Sequence, residues 1–315
     1  MPPATDTVSI LIITRNTCAL TRAAIASARG SGDSLEKEII VVDNGSTDET
    51  AAALAREFPD VKYLRSERNL GFAGANNLGA RQARGGFLAL LNSDARLQPD
   101  SLRLAVEWMR AHPDCGIAGG QLFSPDGSRQ NSIANFPSLA TELLNKSLLR
   151  RVFPKRFPGK EQQFREAVEV ESVIGAFMLV REAVWRAAGG MDERYFFFFE
   201  ETDFCREARE RGWKVFHLPQ VKVWHDQGGS AGQVRVPARI EYWRSRYIYF
   251  AKRHSAWTRA VLRVGLGARL LADWLWSGLL LLACRSARRR NAWQVNHGLL
   301  RWHLKFCPAG EGLPR

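Results

Sequence analysis

Three short apolar runs each end in polar residues: 8–14 (VSILIIT), 38–43 (EIIVVD) and 86–91 (GFLALL). Val, Ile and Leu fill nearly every position rather than every second one. That pattern suits strands buried on both faces of a parallel sheet. Helical spacing between the runs predicts helices at about 19–29, 47–57 and 72–84. Asp48 and Glu49 follow Thr47, which puts acids in a first helical turn where the dipole favours them. Alternating strands and helices give βαβ units with right-handed crossovers. Residues 124–168 interrupt the pattern with SPDGS, NFPS and FPKRFPGK, and read as a long loop carrying one helix at 139–150. Order returns with a strand at 170–181, a helix at 200–211, and strands at 213–218 and 221–225. From 237 onward the pattern is helical and aromatic, and no internal repeat is present.

Composition sharpens this picture at the C-terminus. The net charge is +13, yet 16 Lys+Arg and only 3 Asp+Glu fall in residues 235–315, leaving 29 of each in the rest. The first three quarters are neutral, so the tail alone asks for an anionic partner. Its segment 260–284 is apolar but holds Arg263, Arg269 and Asp273. The longest uncharged run, 274–284, has 11 residues, about half of what a spanning helix needs. Arg285, Arg288, Arg289 and Arg290 follow at once, and Trp257, Trp274, Trp276 and Trp293 flank the run. These features predict a helix lying in the interface of an anionic membrane, with a helix packed on the rest of the protein as the plainer reading. The division expected is a catalytic α/β domain at 1–235 and a basic, apolar helical region at 236–315. Five cysteines with no C-x-x-C pair suit reduced thiols. The acidic N-terminus lacks the basic region of a signal peptide. The expected location is therefore the cytoplasmic face of the plasma membrane.

In open α/β sheets, ligands bind beyond the carboxyl ends of the strands. Here those ends read Thr14-Arg15-Asn16, Asp43-Asn44-Gly45-Ser46-Thr47-Asp48 and Asn92-Ser93-Asp94. No G-x-G-x-x-G follows the first strand, which disfavours a dinucleotide site. An acid such as Asp43 can accept from a nucleobase or a ribose. Oxygen-bearing side chains at 92 and 94 suit a hard divalent ion shared with a diphosphate. Ser46 and Thr47 read first as helix caps.

Six segments stand in order: VVDNGSTD (41–48), RNLGFAGANNLG (68–79), LLNSDA (90–95), GAFMLVR (175–181), GGMDERYFFFFEETDFCREARERGW (189–213) and VWHDQGGS (223–230). Together they resemble family 2 glycosyltransferases of the GT-A fold, in the bacterial rhamnosyltransferase-like branch that builds surface polysaccharide. The likeness covers roughly residues 8–230. It implies a nucleotide-sugar donor, with Asp43 contacting the base and Arg68, Asn69 and Asn77 in the segment bordering the donor. It implies a divalent cofactor, Mg²⁺ or Mn²⁺, held by Asp94 and His225, with Asn92 standing where the family has the first carboxylate of its D-x-D motif. It makes Glu201 the general base, with Glu200 and Asp203 as substitutes, and Glu201 stands where the family usually has Asp. The apolar surround 195–199 would raise the base's pKa, whereas the plainer role for these acids is a helix start paired with Arg206. The reaction implied is a single inverting displacement, with Arg181 or a basic residue in the 150–160 loop beside the leaving diphosphate. The branch favours L-rhamnose from dTDP-rhamnose, with UDP-hexoses or galactofuranose behind it. A membrane-seated tail favours a lipid-linked glycan acceptor.

Three other readings carry less weight. Residues 228–232 match the G-x-S-x-G of serine hydrolases, with Asp273 and His297 following in order, but Pro237 lies where the elbow needs a helix. A basic tail with aromatics also suits nucleic acid, yet no zinc spacing or RRM signature appears, so no nucleic-acid partner is expected. A nucleotidyltransferase would carry a Gly-rich basic loop after the first strand, and none is there.

Overall fold

The computed structural model describes residues 4–157, 162–226, 235–284, 286–308 and 310–313. The first half runs β1 (Ala4–Thr14), α1 (Cys18–Arg29), β2 (Lys37–Asp43), α2 (Thr50–Glu57), β3 (Lys62–Arg65), α3 (Gly71–Ala80) and β4 (Gly85–Asn92). β1 pairs in parallel with β2 and β4, and β2 pairs in parallel with β3. The continuous apolar runs have the predicted cause: both faces of these strands are covered. In β4, Phe87, Ala89 and Leu91 enter one core cluster with α1's Ala24 and Ile25, while Leu88 and Leu90 enter a second with α3's Ala73.

The chain continues through β5 (Ala95–Leu97), α4 (Ser101–Ala111), β6 (Cys115–Phe123), β7 (Ile133–Ala134), α5 (Leu139–Leu143), α6 (Lys146–Val152), β8 (Val168–Glu169), β9 (Ser172–Val173), β10 (Phe177–Arg181), α7 (Glu182–Ala188), α8 (Glu200–Glu210) and β11 (Lys214–His225). The main sheet has the order β3-β2-β1-β4-β10-β6-β11-β5, with β8 beside β11. β10 lies antiparallel to both β4 and β6. β7 and β9 form a separate two-stranded ribbon. Sequence spacing missed β6 because CGIAGGQLF holds three glycines. A Cβ on Gly119 would come within 2.6 Å of Val173, so the strand is glycine-rich to admit its neighbours. The expected strands 213–218 and 221–225 are one strand, with a register shift between Leu218 and Lys222 around Pro219. The expected helix 139–150 is two helices. Asn145 breaks it by accepting from the N–H groups of Ser147 and Leu148. The strand expected at 170–181 is likewise split into β9 and β10.

Three helices close the chain: α9 (Arg235–Arg253), α10 (Ala256–Ala283) and α11 (Ala287–Leu304). A third core cluster joins them to the α/β part, since Tyr195 and Phe199 pack with Trp243, Tyr249, Leu262, Leu266, Leu270 and Trp302. α10 has two apolar faces. Leu262, Leu266 and Leu270 face inward, whereas Val264, Leu271, Leu275, Leu279 and Leu282 are 47–76% exposed. By length and composition α10 could also cross a membrane.

Candidate active site

The three strand ends meet as expected. Thr14 lies beside Asp43, and Ile13 beside Asn92, so the carboxyl ends of β2, β1 and β4 form one rim. Polar side chains there tie the loops to one another. Asp43 is fully buried; its carboxylate accepts from the Ser46 N–H at 2.7 Å and from the Tyr63 hydroxyl. Burial, then that carboxylate, pushes the Tyr63 phenol up. Asn16 adopts the left-handed region (φ 54°), accepts from the Thr47 N–H at 2.7 Å, and donates its own N–H to Ser46 Oγ at 3.0 Å. Ser46 and Thr47 therefore join two loops and do not cap α2, which begins three residues later at Thr50 with Asp48 accepting from its N–H. Thr14 is buried, its hydroxyl 2.7 Å from that of Thr21. Asn44 donates to Asn69 Oδ1 at 2.8 Å and Gly71 O at 3.1 Å, and accepts from the Leu70 N–H at 2.7 Å. Arg15 and Arg68 are exposed at the ends of these loops.

Asn77 lies further along the segment expected to border the donor, in α3. It is buried, donates to Met191 O at 2.8 Å and Glu193 Oε1 at 2.9 Å, and accepts from the Met191 N–H at 2.9 Å. It ties α3 to the segment after α7, so its polar atoms face protein. Gly190 (φ 82°) is required there, since a Cβ would lie 2.5 Å from Asn77 Oδ1. Arg181 departs from expectation. Its guanidinium donates to the carbonyls of Cys115, Met109 and His112, and it pairs with Phe87 at the opposite end of β4 from Asn92.

Asp94 and His225 come together, with Nε2 of His225 3.4 Å from Asp94 Oδ1. β5 and β11 make this pairing, because His225 lies opposite Ala95. His225 Nδ1–H donates to Gln130 Oε1 at 2.9 Å, and Gln130 Nε2 donates back to the His225 carbonyl at 2.7 Å. The ring is thus held with its Nε2 turned to a carboxylate, and the two side chains together offer ligand atoms that a bound cation would use. Ser93 accepts from Thr17 Oγ1 at 3.1 Å beside them. Among the described residues no group of three or more His, Cys, Asp or Glu side chains could hold a metal. A divalent ion here would need further oxygens from its ligand and water.

The acids of α8 have unlike surroundings. Asp203 is buried and held by Lys252 Nζ at 2.6 Å and Arg253 Nε at 2.7 Å, both from α9. It is an anchor for the C-terminal helices, unlike Glu201. Arg206 pairs with Glu210 and Tyr249 and with none of the acids at 200–203. Glu200 is 4% exposed, and burial, then the charge of Glu201, raises its pKa well above the usual carboxylate range. Glu201 is half-buried and is also raised by burial, against backbone N–H groups that include that of Gly175. Its Oε2 has no hydrogen-bond partner.

Glu201 lines a cavity of about 370 Å³ between α8 and the 131–157 segment. Ile133, Pro137, Leu149, Phe198 and Tyr242 supply apolar walls, and Lys146 and Arg150 are also in the lining. Gly175 links this cavity to the rim: its Cα hydrogen faces Glu201, and the next carbonyl, Ala176 O, accepts from the Asn92 N–H at 3.1 Å. Phe198 and Phe199, just before the acids, both sit in the left-handed region (φ 72° and 71°). Bulky residues there store roughly 1–3 kcal/mol each. Gln130, Gly175 and this strained pair were not foreseen. Gln130 sits in an irregular segment 95 residues from His225, and φ leaves no mark on composition. The G-x-S-x-G segment lies outside the described residues.

The profile of glycosyl transferase family 2 matches residues 9–187. The chain is 30% identical over 241 residues to an N-acetylglucosaminyl-diphospho-decaprenol L-rhamnosyltransferase of Mycobacterium tuberculosis, covering 71% of this chain and 78% of that protein. Among solved structures, it resembles the mannosyltransferase PcManGT from Pyrobaculum calidifontis in complex with GDP-Man and Mn²⁺, with a TM-score of 0.58 at 18% identity over 98% of this chain and 89% of that one. It also resembles S. aureus TarS 1–349 in complex with UDP-GlcNAc, with a TM-score of 0.56 at 15% identity over 94% and 81%. The sheet order and these neighbours give the GT-A fold with a C-terminal helical extension. With strand ends gathered into one rim and the family profile spanning more than half its length, the chain belongs to glycosyl transferase family 2, in its rhamnosyltransferase-like branch.

Proposed function

We propose that this glycosyltransferase moves L-rhamnose from dTDP-rhamnose onto a lipid-linked, diphosphate-bearing amino sugar, with inversion, at the cytoplasmic face of the membrane. The observation that carries the catalytic part is Glu201: a half-buried carboxylate with raised pKa and an unpartnered oxygen, facing a cavity and one glycine away from the rim. The acceptor hydroxyl enters that cavity and its proton passes to Glu201 as the oxygen attacks the anomeric carbon. The new C–O bond forms as the bond to the nucleoside diphosphate breaks on the opposite face. A raised base is well matched to a hydroxyl nucleophile near neutral pH.

Asp43, Asn44, Asn16, Arg15 and Arg68 form the donor side, with Asp43 toward the base. Asp94 and His225 would hold a divalent ion, with Asn92 and Ser93 beside them. When bound, that ion supplies positive charge against the leaving diphosphate. The rhamnosyl donor and the lipid-linked acceptor rest on the mycobacterial relative. The membrane seat rests on the exposed apolar stripe of α10 and the basic tail. Calorimetry of dTDP, UDP and GDP with and without Mn²⁺, repeated with Asp94→Ala, tests the donor side. Preference for dTDP that is lost with Asp94→Ala is expected; UDP preference would move the donor to a hexose or galactofuranose. Proton NMR of the product then reads the anomeric configuration, and retention would overturn the single displacement.

A further inference from the structure

We propose that Lys146 and Arg150 form the site for the acceptor's diphosphate, and that α6 sets them at the level of the membrane surface. The inference rests on the lipid-linked acceptor reading and adds the residues that would recognise it. α6 has three distinct rows. Leu149 is 9% exposed and faces the cavity. Lys146 and Arg150, four residues apart and on one side, line the same cavity and are themselves exposed. Leu148 and Val152, again four residues apart, are 60 and 54% exposed, and Phe153, just after the helix, is 55% exposed.

Charge orders the cavity from floor to mouth. The floor carries Glu201. The other cavity acid, Glu142, is neutralised by Arg246 at 2.8 Å. Lys146 and Arg150 have no ion-pair partner among the described residues. A sugar diphosphate placed in this space has one low-energy orientation: hydroxyls toward the anionic floor, diphosphate against the two cations. Arg150 offers a planar fork to phosphate oxygens and Lys146 a compact charge. A lipid chain attached to that diphosphate then leaves beside Leu148, Val152 and Phe153, whose apolar surface suits acyl chains. The α5–α6 hairpin is itself firmly held. Leu143 packs on Gly265 of α10, and Arg269 of α10 donates to the Glu142 carbonyl at 3.4 Å.

The test is the double variant Lys146→Gln/Arg150→Gln, whose exposed side chains leave the fold intact. Transfer is measured to a prenyl-diphosphate-linked N-acetylglucosamine and to octyl N-acetylglucosaminide, both in neutral detergent micelles. A KM at least 10-fold higher for the diphosphate acceptor is expected, from two lost charge-assisted contacts. The octyl glycoside and the donor should keep their KM. Equal losses on both acceptors would assign the pair a structural role. A loss seen only on anionic vesicles, and not in neutral micelles, would assign it to lipid headgroups; either result overturns the site. Calorimetry of farnesyl diphosphate with dTDP saturating gives an arm that needs no turnover. Wild-type protein that binds it through these residues yet transfers no rhamnose would keep the site and defeat the donor reading. Active protein whose farnesyl diphosphate affinity is unchanged by the double variant would do the reverse.

Discussion

The rim and the acid-lined cavity are neighbours joined through Gly175 and Ala176, yet they are built on opposite principles. At the rim, side chains that could meet a ligand first tie loops together: Asp43 to Ser46 and Tyr63, Asn16 to Ser46 and Thr47, Asn44 to Asn69 and Leu70. At the cavity, Glu201 and its buried neighbour Glu200 are both desolvated, and Oε2 of each lacks a partner. They follow two phenylalanines with left-handed backbone. Saturated hydrogen bonding holds a shape ready for a ligand, whereas unpaired, strained groups hold reactivity. The difference teaches that binding and proton transfer can be separated by mutation.

The largest effect falls on the cavity. Glu201→Gln should lower kcat by about 10²–10⁴-fold while dTDP affinity stays within twofold. Steady-state kinetics beside calorimetry reads both, and joint loss would erase the separation. On the rim side, Asp94→Ala should abolish metal-dependent nucleotide binding. Gln130→Ala, acting through the His225 ring, should weaken metal affinity by about 10–100-fold, read as the Mn²⁺ dependence of binding. Unchanged Mn²⁺ dependence would show that Gln130 does not orient the imidazole.

A third change attacks neither chemistry. Asp203→Ala takes the buried carboxylate from Lys252 and Arg253, which keep Asp192, Glu207 and Glu210 as partners, and should cost about 1–3 kcal/mol of stability. Denaturant unfolding checks this, and a loss below 1 kcal/mol would show Asp203 to be dispensable as an anchor. The smallest effect concerns Glu200. Its folded pKa is raised, so the folded state holds a proton that the unfolded chain releases above about 4.5. Stability from that proton is complete below the unfolded pKa and is lost as pH rises through the folded one. Glu200→Gln should therefore raise the melting temperature relative to wild type at pH 8 and leave it nearly unchanged at pH 4. An equal shift at both values would remove titration as the cause.

Residues close in sequence and rich in pattern were legible from the chain alone. β1, β2 and β4, the helices between them and α8 follow directly from apolar runs and helical spacing. Edge strand β3 and glycine-rich β6 were not legible, because neither carries a run of branched apolar residues. α10 was read as an apolar helix beside a basic cluster. Its inward row at Leu262, Leu266 and Leu270 became evident only once α9 and α11 packed on it.

By itself, the sequence determined the parallel βαβ start, the gathering of polar strand ends and the order of motifs that marks the family. These depend on local periodicity and on strand direction, both written in neighbouring residues. Only the tertiary structure decided which polar groups are already occupied. Asp203 and Glu201 are two residues apart on one helix, yet one meets two cations from α9 and the other an open cavity. Asn77, Arg181 and Gln130 found their places through partners 114, 66 and 95 residues away. Burial and pairing at such separations follow from packing, which no local pattern records.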